Sequence, residues 1–142
     1  YIHRFLRPKL LFYKDECYKN NVMEVEAVSG CFFVINSFIL KQCDYFDENI
    51  FLYYEENVIA KKIQKINKKV LINTQVEVFH NHSVTIDKNI NHIKKYKELK
   101  KSQIYFQKYY NHANWFELFL LKITNKMTLL ILYIAGVRRK SK

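Results

Sequence analysis

From Asn114 to Gly136 the chain reads NWFELFLLKITNKMTLLILYIAG, strongly apolar but broken by Glu117, Lys122 and Lys126. Its uninterrupted part, residues 127–136, is shorter than the roughly 20 apolar residues a helix needs to cross a bilayer. Such a segment has two outlets. It can lie as a helix in the membrane interface, with Trp115 and Phe116 at one end and the RRK of 138–140 at the other, or it can pack as an ordinary buried helix. The sequence leaves both open.

Charge is distributed just as unevenly. The net charge of +11 is concentrated in KKIQKINKK (61–69), KKYKELKK (94–101) and RRK (138–140). The plain reading of such runs is a solvated helix face; the functional readings are an anionic membrane surface or a polyanionic substrate. No nucleic-acid-binding motif accompanies them, so no nucleic-acid partner is expected. Cys17, Cys31 and Cys43 are odd in number and lack CxxC spacing, which reads as reduced, cytosolic, mostly buried thiols and not a zinc site. The 16% aromatic content argues for a folded core or membrane-contacting surfaces and against disorder. The chain starts at Tyr1 without a signal-peptide pattern and reads as a fragment of a longer protein.

Along the chain, VMEVEAV alternates apolar and polar residues and leads out of a charged, irregular start. CFFVIN (31–36) is an apolar run of strand length, and Ser37 is placed to cap a short helix, FILKQC. DYFDENIF (44–51) carries turn chemistry. Ile59, Ile63, Ile66 and Val70 recur at helical intervals and predict a helix over 56–69. VLI (70–72) and VEVFH (76–80) read as extended, and 89–110 as a basic amphipathic helix.

Four pieces fall in a specific order: VSGCFFVINSFILKQCDYFDE (28–48), NIFLYYEENVIAKKIQKINKKVLI (49–72), VEVFHNHSVT (76–85), and a basic aromatic helix. This order resembles the C-terminal half of family 2 glycosyltransferases, most closely the rhamnosyltransferase-like enzymes that build bacterial surface polysaccharides. The resemblance covers 28–85, and 96–110 more weakly. The chain departs from the pattern at several points. The Glu-Asp pair is Glu55-Glu56, the acid two residues beyond it is Val58, and the glycine before FDE is Tyr45. The N-terminal half, with its Asp-x-Asp motif and nucleotide-binding strands, has no counterpart in these residues.

The resemblance implies an α/β fold: the C-terminal half of a GT-A nucleotide-diphospho-sugar transferase, followed by C-terminal helices. Residues 1–88 would be the acceptor-side half of the catalytic domain, and 89–142 a basic, apolar helical extension. It implies inverting transfer of a sugar from a nucleotide-sugar donor to a glycan or lipid-linked acceptor, at the cytoplasmic face of the cell membrane with peripheral membrane contact. A divalent cation, manganese or magnesium, would assist. Glu56 would be the general base, because the acceptor hydroxyl must lose its proton as it attacks. Glu55 would orient the helix start or contact the acceptor. The local alternative is that both acids merely favour the helix dipole, by roughly 0.3–1 kcal/mol each. Ser29, Gly30 and Cys31 would floor the substrate site, Gly30 letting the backbone approach the sugar without a Cβ. Tyr54 would contact substrate, although Tyr53 and Tyr54 also suit a core. His80 would serve the metal or diphosphate, since neutral imidazole ligates cations and imidazolium pairs with phosphate. A fragment without the donor half is expected to be inactive alone. A catalytically inactive member acting as a membrane-associated scaffold is the alternative.

Overall fold

A computed structural model describes residues 20–79 and 92–140. It is mixed α/β and mostly helical: four helices and a two-stranded antiparallel sheet among the described residues. In order these are β1 (Val22–Val25), α1 (Ser37–Gln42), α2 (Glu55–Lys65), β2 (Val70–Asn73), α3 (His92–Tyr109) and α4 (Trp115–Lys140).

The sheet's register follows from side-chain alternation. Met23 pairs with Ile72 and Val25 with Val70, so the inward residues of both strands coincide. On the outer face Lys69 meets Glu24 at 2.7 Å, an exposed pair that adds little stability. CFFVIN differs from its expected form: no strand among the described residues pairs with 31–36, so it is not a ladder strand, and Phe32 and Val34 are exposed. Residues 76–79 likewise pair with no described strand, and His80, the end of the expected extended segment, lies outside the described residues.

Helix α1 is capped by Asn36, not Ser37. The Asn36 side chain accepts from the Phe38 and Ile39 amides at 2.9 and 3.4 Å, which leaves Ser37 as the first helical residue. The turn after α1 runs through left-handed Asp44 and Tyr45, and Lys62 of α2 donates to both of their carbonyls. The expected helical stripe is the core of this region. Ile59 and Ile63 pack with Cys43, and Ile66 and Val70 close over them. Each fully buried aliphatic side chain contributes roughly 1.5–3 kcal/mol. Helix α2 stops at Lys65, short of Lys69: Asn67 turns left-handed and the Lys68 amide donates back to the Ile63 carbonyl at 3.1 Å.

Glu117, which breaks the apolar run in the sequence, is a capping acid. Its carboxylate accepts from the Asn114 amide at 2.9 Å, while the Asn114 side chain accepts from the Glu117 amide at 3.0 Å. No described helix is long and apolar enough to cross a membrane.

Candidate active site

Two tyrosines in left-handed backbone, Tyr53 (φ 66°) and Tyr54 (φ 73°), deliver the chain into α2. Bulky residues avoid this region, at about 1–3 kcal/mol each, so the surroundings must enforce it. They do so from α3. The Ser102 hydroxyl donates to the Leu52 carbonyl at 2.7 Å, and Phe106 packs on the Tyr54 ring with centroids 5.2 Å apart. Just upstream, the Asp47 carboxylate accepts from the Tyr105 hydroxyl at 2.9 Å and the Tyr110 hydroxyl at 2.6 Å. Helix α3 is thus fastened to the 44–54 segment at three places.

Burial pushes the Asp47 carboxyl upward, but bonds from Tyr110, from the Asn49 amide and side chain, and from Tyr105 outweigh it and hold the group at about 2. The same contacts, after burial, raise the Tyr105 phenol and push the Tyr110 phenol above its ordinary value.

Neither acid at the start of α2 is a side-chain cap. Tyr54 occupies the cap position without a side-chain bond, and its carbonyl accepts from the Val58 amide at 2.9 Å. Glu56 instead turns toward Gly30. A Cβ added at Gly30 would lie 3.3 Å from Glu56 Oε2, so the carboxylate rests against that backbone. Gly30 has no positive φ, and close approach is what this position uses. Ser29, Cys31 and Glu56 line one open cleft of about 940 Å³ whose walls come from 31–36, α2 and β2.

A helix N-terminus by itself lowers a carboxylate's pKa. The net effect on Glu56 is the reverse. Burial raises it, its own amide lowers it, and the neighbouring Glu55 charge raises it again. One oxygen of Glu55, Oε2, is buried with no hydrogen-bond partner among the described residues. Glu55 does not line the cleft that Glu56 faces.

Of the residues the resemblance singles out, Ser29, Cys31 and Glu56 line one cleft, and Gly30 lies against Glu56. Tyr54 does not line the cleft. Its ring is held by Phe106; burial raises its phenol, a Gln103 bond opposes this, and the Glu56 charge adds to it. Cys43 is buried, and that burial raises its thiol, whereas Cys31 is exposed. His80 lies outside the described residues, as do Cys17 and the proposed boundary at 88–89. Among the described residues no group of three or more His, Cys, Asp or Glu side chains is placed to hold a metal ion. Those residues do not by themselves fit a divalent cation. Sequence reasoning missed the Asp47 clamp: its partners lie 58 and 63 residues away, and the aromatic run IYFQKYYN at the end of α3 is the only signal of them.

No family model matches the chain, no curated protein matches its sequence, and no solved structure matches its fold.

Proposed function

We propose that this chain is the acceptor-side half of an inverting, GT-A-type family 2 glycosyltransferase, with Glu56 as the general base. The observation that carries the reading is the Glu56 carboxylate seated against Gly30 at the wall of a cleft that also holds Ser29 and Cys31. A partly buried carboxylate with a raised pKa is a stronger base than a solvated one and suits proton removal from an attacking hydroxyl. The exposed apolar segments 31–36 and 76–79 support a larger domain in which the donor half covers them.

The acceptor would be a glycan or a lipid-linked glycan in bacterial surface polysaccharide synthesis. The protein would work at the inner face of the cell membrane, held there peripherally. On α4, Phe116, Leu120, Ile123, Met127, Leu130 and Ile134 recur at intervals of four and three and are all exposed, a stripe suited to lying in an interface.

The second reading, an inactive membrane-associated scaffold, has one observation in its favour. Val58, where the resemblance implies an acid, is 1% exposed and sealed into the core. A screen of nucleotide-sugar donors with the full-length protein, supplied with manganese and magnesium, separates the two. Acceptor-dependent release of nucleoside diphosphate from one donor supports the enzyme. Binding to membranes with no turnover of any donor supports the scaffold.

A further inference from the structure

Helix α4 folds back along α3, and the Tyr96 hydroxyl donates to the Asn125 carbonyl at 3.3 Å. Between the helices lies a cleft of about 370 Å³. Lys97, Lys100 and Lys101 enter it from α3 and Lys122 and Lys126 from α4, while no carboxylate lines it. Ile104, Phe119, Ile123 and Leu129 supply an apolar floor.

Two details make this more than a solvated basic face. Asn125 lines the cleft, and its Nδ2 is buried with no partner among the described residues, a donor lacking an acceptor. Lys100 is partly buried, which lowers its pKa; it holds Gln103 Oε1 at 2.9 Å and lies over the Tyr96 ring. An anion in the cleft would satisfy the amide and offset the lysine's lost hydration. Ile123 belongs both to this floor and to the exposed stripe of α4, so the polar cleft and the apolar stripe are contiguous.

We propose that the α3–α4 cleft binds the phosphodiester headgroup of an anionic phospholipid while the α4 stripe enters the acyl region beside it. This rests on the reading of α4 as an interfacial helix. It adds a defined headgroup site where that reading needs only apolar contact and diffuse charge.

The test is flotation of the full-length protein with vesicles of phosphatidylcholine alone, and of phosphatidylcholine with phosphatidylglycerol as the anionic lipid. Wild type should prefer the anionic vesicles. Lys100→Gln with Lys126→Gln should reduce that preference roughly twenty-five-fold, at about fivefold per lysine near an anionic surface, and leave binding to neutral vesicles unchanged. The near-isosteric Asn125→Asp, which sets a carboxylate against the phosphate, should also abolish the preference; circular dichroism checks that each variant folds. Lys94→Gln with Lys108→Gln removes the same charge from α3 outside the cleft and should leave the preference nearly intact.

Equal losses from both lysine pairs would reduce the site to a diffuse basic field and overturn the proposal. Equal binding of wild type to both vesicles would overturn the headgroup site while leaving the interfacial helix standing. No vesicle binding at all, or self-association through the stripe, would overturn both. Protection of the cleft by inorganic phosphate without any lipid preference would assign it to a soluble ion and overturn the lipid.

Discussion

A methyl group at residue 30 would meet the Glu56 carboxylate at 3.3 Å, a separation that forces the acid to move by a few tenths of an ångström. Under the proposed function, Gly30→Ala should therefore leave the fold intact and reduce sugar transfer by the full-length protein by roughly tenfold, since misplacing a reacting group is costly. Steady-state kinetics beside a thermal melt checks this. The raised pKa of Glu56 has two further consequences. The base must be ionised, so kcat/KM should fall with acid through a limb above 4.5, the ordinary glutamate value. The fold also retains this proton more tightly than the unfolded chain does, so ionised Glu56 costs stability as pH rises through that window. Glu56→Gln should then melt at or slightly above the wild-type temperature at neutral pH. The sequence made Gly30 and Glu56 candidates one by one. Their contact was not legible, because it depends on how the 28–31 turn meets α2, and nothing local encodes that.

Among the elements, α3 holds the entrance to α2 in place. Asp47 at about 2 lies below its ordinary 3.8, so the clamp contributes stability that is complete above 3.8 and is lost as pH falls toward 2. Asp47→Asn, or Tyr110→Phe, should cost about 1–2 kcal/mol at neutral pH, the low end for bonds to a charged group because the site is only partly buried. For Asp47→Asn the difference from wild type should shrink toward zero near pH 2, as denaturant melts over a pH series would show. The helices were legible because apolar periodicity is local: Ile59, Ile63, Ile66 and Val70 mark α2 and its continuation into β2. Their ends were less so. Asn36 displaced Ser37 as cap because a side-chain amide one residue earlier reaches both free amides. CFFVIN has the composition of a strand, yet pairing is non-local and no described strand reaches it. The turn at Asp44 and Tyr45 falls in the stretch with turn chemistry, but the left-handed Tyr53, Tyr54 and Asn67 were not legible because this chain makes them without glycine.

At the scale of the whole molecule, the proposed function pairs the Gly30–Glu56 cleft with the α3–α4 hairpin as the membrane contact. Removing residues 114–142 takes away the α4 stripe and the Lys122 and Lys126 wall of the cleft, and should release the protein from anionic vesicles in a sedimentation assay. Retained binding would move the membrane contact elsewhere. Glu117 shows how far sequence carries at this scale: it reads as an interruption of an apolar run, whereas it caps α4 and leaves the stripe beyond it continuous. The central claim is that Glu56 removes the acceptor proton, and it is tested most directly by initial rates of sugar transfer for Glu56→Gln in the full-length protein, with donor affinity measured alongside. The account predicts a loss of about 10²–10⁴ in kcat with donor affinity nearly unchanged. Turnover close to wild type would contradict it.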